Sequence, residues 1–295
     1  MQDGLVDLHI HSDNSCDGDF SLNHILRLAA ENNFRAVSIA DHDTVAAYPE
    51  ALERGEEYGV EVIPGIELTT LYKNREFHLL LPFVHWTSPK LRQILQTARK
   101  GRLEEADARI ERLREIGFKL DLDEVKAAAA PFPPLGVTIA QVVLGKAAEQ
   151  PPELMRKYLQ ASDKRMLPYQ FYRDYFSEGM PAHVPRRNLQ LTDILEQVRD
   201  TGGVPVMAHP GAPFQNATPA DLRELKQQGL EGLEVYTSYH DKEKSDFYYQ
   251  QANALDLVAT AGSDFHGSIK PDIPFGCIKK GNYRMVEALR ARRDA

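Results

Sequence analysis

Along the first ninety residues the apolar positions switch between two periods. Leu5-Val6-Asp7-Leu8 is a short apolar run that leads into His9-Ile10-His11. Leu22, Ile25, Leu26 and Ala29 then recur at i, i+3, i+4 and i+7, one face of a helix, with Ser21 placed to cap it. Ala36 to Ala40 reads as a second buried strand, and a helix follows from about Ala46 to Tyr58, with Gly59 at its C′ position. Val62 to Glu67 and Phe77 to Phe83 read as further strands. Strand, helix, strand at this spacing predicts βαβ units and a parallel sheet.

From about Pro89 to Gln190 the pattern changes. Arg99 to Arg114 is a charged amphipathic helix, Asp123 to Ala130 reads as another, and Pro131-Phe132-Pro133-Pro134 and Pro151-Pro152 interrupt. This stretch shows no clear strand, so residues 93–190 are expected to be a helical insertion, dividing a first domain into residues 1–92 and 191–295. The earlier rhythm resumes at Thr192, with a helix to Thr201 and a strand from Val204 to Ala208. Thr218-Pro219 opens a helix ending near Gly229, Gly232–Val235 and Leu257–Ala261 complete the strands, and Met285 to Arg293 closes with a helix.

Composition narrows the class without naming a function. At 42% hydrophobic and 26% charged residues the chain is an ordinary globular one, which excludes disorder and coiled coil. A net charge of -8 argues against a protein that coats long nucleic acid. No secretory signal is visible and no apolar run approaches the roughly 20 residues of a membrane helix. Cys16 and Cys277 lie far apart, so no disulfide framework is expected and a cytoplasmic location is.

The chemistry is carried by the histidines. His9 and His11 follow the first strand, His42 the second, His78 lies in the fourth, His209 follows Met207-Ala208 and His266 follows the last. Asp17, Glu67 and Asp264 occupy similar positions. In a parallel α/β barrel the strand ends share one face, so distant residues converge. His-x-His suits a cation because alternate strand residues share a side. Imidazole with carboxylate and no thiolate cluster suits Zn²⁺, Mn²⁺ or Fe²⁺. A single such histidine is more often a hydrogen-bonded side chain; the constellation reads as metal.

Asp7-Leu8-His9-Ile10-His11-Ser12, Asp41-His42-Asp43, Pro64-Gly65-Ile66-Glu67, Ala208-His209-Pro210 and Gly262-Ser263-Asp264-Phe265-His266 together resemble the PHP (polymerase and histidinol phosphatase) phosphoesterases. The likeness is to the stand-alone bacterial branch that includes nucleotide phosphatases and small exoribonucleases. It implies an α/β fold, a distorted (β/α)₇ barrel with a helical insertion domain capping the substrate side, and two or three divalent metals. Residue by residue, it implies His9, His11, Glu67 and Asp264 on a first metal, with Glu67 bridging to a second held by His78 and His209. Asp17, His42 and His266 would hold a third, with Asp13 a competitor for Asp17. Asp41 and Asp43 would orient His42 or its loop. The implied chemistry is attack on phosphorus by a metal-activated hydroxide, with Asp264, His266 or His209 handling the proton. A small phosphorylated metabolite or nucleotide is the expected substrate, and inorganic phosphate a product.

The insertion departs from the branch. Nucleotide-phosphatase relatives often carry Gly-Arg-Thr-His-x-Ala-Arg there, whereas this chain reads Gly136-Val137-Thr138-Ile139-Ala140-Gln141-Val142. His183, Arg186, Arg187 and Lys270 are the candidate replacements for substrate contact. His24 and His240 are read as surface residues on helices. Tyr236, Tyr239, Phe247, Tyr248 and Tyr249 are read mainly as core, with Tyr236 or Tyr239 able to border the pocket. The competing readings are a phosphodiesterase on short oligonucleotides, an amidohydrolase barrel, and a non-catalytic PHP scaffold, which nine filled ligand positions disfavour.

Overall fold

The computed structural model describes residues 4–161, 164, 166–185 and 189–294. Three strands, β1 (Leu5–Ile10), β2 (Phe34–Ile39) and β3 (Glu61–Pro64), form a parallel sheet in that order. Six more, β4 (Glu67–Tyr72), β5 (Arg75–Leu80), β6 (Leu189–Gln190), β7 (Val206–Met207), β8 (Gly232–Tyr236) and β9 (Val258–Ala261), form a second sheet ordered β6-β4-β5-β7-β8-β9. Within it β5 runs antiparallel to β4 and β7, and the other neighbours are parallel. Isolated parallel bridges, Ile10 to Phe265 and His42 to Glu67, link the two sheets.

The helices are α1 (Leu22–Glu31), α2 (Glu50–Tyr58), α3 (Pro89–Ile116), α4 (Leu122–Ala129), α5 (Gly136–Gly145), α6 (Pro152–Leu159), α7 (Leu167–Tyr175), α8 (Leu191–Gln197), α9 (Pro219–Gln227), α10 (Lys242–Ala254) and α11 (Tyr283–Arg293). The chain divides into two compact units, Met1–Leu95 with Leu189–Ala295, and Gln96–Asn188. Each has its own core. Phe77, Leu79, Leu222 and Leu233 belong to one cluster of the first unit, while Ile110, Ile139, Val143, Phe171 and Phe176 fill the second.

Local chemistry sets several of these elements. The Ser21 hydroxyl caps α1 by accepting the His24 N–H, and Leu22, Ile25, Leu26 and Ala29 are all buried. Thr218 and Asp221 form a reciprocal capping box at α9 with Pro219 in its first turn. Gly59 ends α2 at φ 67°, the left-handed conformation its lack of a Cβ permits.

The structure corrects the reading in three places. The helix expected from Ala46 begins at Glu50. β6 falls inside the stretch read as strandless, whereas the strand expected from Val204 to Ala208 is present: β7 spans Val206–Met207, and the flanking Val204 and Ala208 N–H groups donate to the Pro82 and His78 carbonyls. Most consequential, Glu67 starts a strand of its own, and β4 turns into β5 through Lys73 and Asn74, both at positive φ. Such a turn reverses the chain, so His78 lies within an antiparallel strand rather than within a parallel one.

Candidate metal centre

Every residue read as a metal ligand lies in the first unit. His9 and His11 end β1, His42 follows β2, Glu67 opens β4, His78 lies on β5, His209 follows β7, and Asp264 and His266 follow β9. In the β4–β5 register Thr69 faces His78, so Glu67 and His78 are diagonal neighbours on one side of the hairpin. Asp17 lies in the loop after β1. Three overlapping groups have donor atoms close enough to share an ion: His11, Asp17, His42 and His266; His9, Glu67, His209 and Asp264; and His42, Glu67 and His78. Asp13 is exposed and joins none of them.

Glu67 is the hub. Its Oε1 lies 2.9 Å from His78 Nδ1 and 3.1 Å from His209 Nε2. Its Oε2 lies 3.2 Å from both His9 Nε2 and His11 Nε2, and 3.1 Å from His42 Nε2. Asp264 Oδ1 is 3.2 Å from the same two nitrogens of His9 and His11, which are 3.0 Å apart. On the far side Asp17 Oδ2 is 3.3 Å from His266 Nε2 and 3.5 Å from His42 Nε2.

The donor set fits a divalent cation. A tetrahedral ion with bonds of about 2.1 Å requires ligand atoms about 3.4 Å apart, close to the spacing of the His9, His11, Glu67 and Asp264 atoms. The rings are also aimed. His9 Nδ1 lies 3.0 Å from Glu234 Oε1, His11 Nδ1 lies 3.3 Å from Ser15 Oγ, and His266 Nδ1 lies 2.7 Å from the Asp264 carbonyl. Each of these partners accepts the Nδ1 proton and leaves the Nε2 lone pair facing the cluster.

Two residues that the sequence reading did not single out organise this frame. Glu234, fully buried on β8, also accepts the His209 N–H at 2.8 Å through Oε2. Its space depends on Gly262, where a Cβ would come within 2.2 Å of Glu234 Oε1 and 2.3 Å of His9 Cβ. Ser15 Oγ donates to Asp17 Oδ1 at 2.7 Å while accepting the His42 N–H at 3.2 Å. The available signal was an acid within the apolar strand Gly232–Tyr236. Asp41 and Asp43 act on the loops rather than on the His42 ring: Asp41 accepts the Ser12 N–H and hydroxyl, and Asp43 accepts the Thr69 N–H. Asp264 holds φ 58°, a backbone conformation that costs about 1 kcal/mol or more outside glycine and is maintained by its surroundings.

Burial and mutual charge pull the ionisations in opposite directions. Burial opposes charge on His9, but Glu67, Glu234 and Asp264 outweigh it and raise its pKa well above the usual histidine value. His11 is pushed up to about 9 against the same burial penalty by Asp264 and Glu67. Burial and the neighbouring His11 hold His42 and His266 down, despite the carboxylates nearby. Burial opposes ionisation of Glu67, Asp264 and Asp17 as well, yet the facing imidazoles, joined at Asp264 by the Lys270 ammonium, keep all three well below the carboxylate range.

The substrate candidates separate. Lys270 Nζ lies 2.8 Å from Asp264 Oδ2 and 3.2 Å from the Tyr239 hydroxyl, which itself donates to Asp264 Oδ2 at 2.9 Å. Tyr239 thus borders the centre. His183 belongs to the second unit, with its N–H on the Met180 carbonyl, and Arg186 and Arg187 lie outside the described residues. The Gly136–Val142 segment is part of α5, whose Gly136, Ile139 and Ala140 are buried in the second core. His240 is not on a helix; it sits half-buried in a turn, its Nε2 accepting the Gly211 N–H at 2.9 Å. Of the five clustered aromatics Tyr248 is buried, whereas Phe247 and Tyr249 are exposed.

A profile of the PHP domain matches residues 7–115. A 5′-3′ exoribonuclease of Haemophilus influenzae is 27% identical over 96% of each chain. Phosphoribosyl 1,2-cyclic phosphate 1,2-diphosphodiesterase of Eggerthella lenta is 28% identical over 89% of this chain and 94% of its own. A 3′,5′-nucleoside bisphosphate phosphatase of Chromobacterium violaceum is 25% identical over 88% and 87%. Among solved structures, one from Bifidobacterium adolescentis described as a metal-dependent phosphoesterase superposes with a TM-score of 0.79 at 25% identity, over 97% of this chain and 96% of that one. Residues 7–115 thus match the PHP domain, and the relatives named above act on phosphoric ester bonds.

Proposed function

We propose that this chain is a metal-dependent hydrolase of phosphoric esters acting on phosphomonoesters of a small metabolite or nucleotide. The observation that carries the reading is the sharing of Glu67 among histidines from four separate chain segments, in a cluster with Asp17 and Asp264 at its edges. We assign His9, His11, Glu67 and Asp264 to one divalent ion, His78 and His209 with Glu67 to a second, and Asp17, His42 and His266 to a third, with Mn²⁺, Fe²⁺ or Zn²⁺ suited to such donors. When bound, these ions supply a water acidic enough to attack phosphorus near neutral pH and positive charge for the phosphoryl oxygens.

The protein's own groups do the rest. Glu234, Ser15 and the Asp264 carbonyl fix the tautomers of His9, His11 and His266 before substrate arrives. Asp264, His266 and His209 are the groups placed to hold a proton during hydrolysis, and His209 Nδ1 has no hydrogen-bond partner among the described residues. Lys270, already ammonium on Asp264, would swing its charge to a phosphate oxygen. His183, Arg186 and Arg187 remain proposed substrate contacts. The strands would close as a distorted (β/α)₇ barrel, which the two bridges between the sheets support. A cytoplasmic location accords with a sequence of only two cysteines, far apart in the chain, and among the described residues no helix is long and apolar enough to cross a membrane.

The test is phosphate release from mononucleotides, 3′,5′-bisphosphates, sugar phosphates and histidinol phosphate, with Mn²⁺, with chelator, and beside His9→Ala. Metal-dependent turnover that His9→Ala abolishes supports the reading; silence across the panel with metal bound refutes the phosphomonoesterase. The exoribonuclease relative keeps one alternative, 5′-end trimming of short oligonucleotides, which a labelled pentanucleotide tests directly.

A further inference from the structure

One large aromatic at the rim of the metal centre has no role in the fold. Phe214 is 46% exposed, yet its ring centroid lies 5.5 Å from that of His78 and 5.3 Å from that of His209. Tyr239 stands 6.0 Å away at an interplanar angle of 88°, so the two rings make a right-angled corner beside the cluster. An exposed phenyl contributes little to a core, and one on an ordinary loop would call for no explanation.

This loop is not ordinary. The neighbouring Gln215 is buried, and its side chain accepts the His78 N–H at 3.0 Å and donates to the Ala208 carbonyl at 2.8 Å. Arg75 Nη1 donates to the Gln215 and Asn216 carbonyls at 3.2 and 3.1 Å. Ala212 and Ala217 close the segment onto the His209 and Pro210 carbonyls. Each anchor is a backbone or buried contact that leaves the phenyl ring out of the packing. The segment therefore holds Phe214 in place against two candidate metal ligands, with its outer face toward solvent.

We infer that Phe214, with Tyr239, is a stacking platform for a planar ring carried by the leaving group, so that the preferred substrate is a nucleotide rather than a sugar phosphate. A flat ring gains contact over the phenyl at reduced entropic cost, because the anchored loop already holds it beside His78 and His209. A ribose alone offers a smaller, non-planar C–H face and no π-surface to stack. The inference rests on the phosphoesterase reading and extends it to the substrate class.

The experiment pairs two esters that share one reacting bond, AMP and ribose 5-phosphate, on the Mn²⁺-loaded enzyme. Phe214→Ala is expected to raise KM for AMP about 5- to 150-fold with kcat little changed, the span of a lost base–aromatic stack. Ribose 5-phosphate kinetics should not move, and Phe214→Trp should restore the AMP value. Equal loss on both esters, or no change on AMP, overturns the inference while leaving hydrolysis intact. Adenosine binding by calorimetry separates the two failures. If neither these esters nor the rest of the phosphomonoester panel turn over but adenosine binds in a Phe214-dependent way, the platform stands and the phosphomonoesterase falls. No Phe214-dependent binding, with no turnover, overturns the platform too.

Discussion

Replacing Glu234 by glutamine removes one acceptor from a buried carboxylate that uses both of its oxygens. One faces His9 Nδ1 at 3.0 Å and the other takes the His209 N–H at 2.8 Å. An amide offers a single acceptor, so either His9 loses the group that fixes its tautomer or the His209 backbone loses its partner. A charge-assisted hydrogen bond of this kind contributes about 1.5–3 kcal/mol. Because both His9 and His209 face the metal positions, that loss falls on metal affinity, a weakening of about 10- to 100-fold. The assay is competition for Mn²⁺ against a graded chelator, with bound metal counted by mass spectrometry and circular dichroism confirming that the variant is folded. A folded Glu234→Gln protein with wild-type Mn²⁺ affinity would refute the assignment of Glu234 to ring orientation.

Three further outcomes are expected. Gly262→Ala should mimic Glu234→Gln by sterics alone, since its Cβ would collide with Glu234 and His9, and bound metal should fall in the same chelator competition. In metal-free protein, the elevated His11 pKa of about 9 contributes stability that is full below the ordinary value of 6.5 and is lost as pH rises through 9. Metal binding needs that proton gone, so the Tm gap between Mn²⁺-loaded and chelated protein should widen between those pH values; a gap that narrows would contradict the cluster's assignment. Asp221, held at about 2 with Arg75 and Thr218 offsetting its burial, contributes stability present above about 4 and lost as pH falls toward 2. With Arg75 partly solvated, Asp221→Asn should cost about 1–2 kcal/mol at pH 7 in urea denaturation and almost nothing at pH 2.

The residues that come together at the centre were visible in the chain because strand periodicity and imidazole spacing are local signals. His9 and His11 share a side of one short strand, and Asp264 and His266 repeat the spacing. The β4–β5 hairpin was not visible, because Lys73-Asn74 lacks the glycine that usually marks a two-residue reversal and Leu68–Tyr72 was not read as a strand. Glu234 and Ser15 were hidden for a different reason. A carboxylate in an apolar strand takes its meaning from His9 and His209, and a serine in a loop from His11, Asp17 and His42, and no local spacing rule links these partners. The same limit applies to Phe214, whose exposure beside His78 and His209 belongs to no sequence pattern.

The bridge from Ile10 to Phe265 sets a schedule for the molecule's own birth. A chain emerging from the ribosome can pair β1 with β2 and β3 early, but that nascent sheet exposes His9, His11 and His42 without Asp264 or His266. A cation captured then would lack the carboxylate that faces both β1 imidazoles. The donor set that faces the β1 imidazoles is therefore complete only once the segment after β9 has paired with β1.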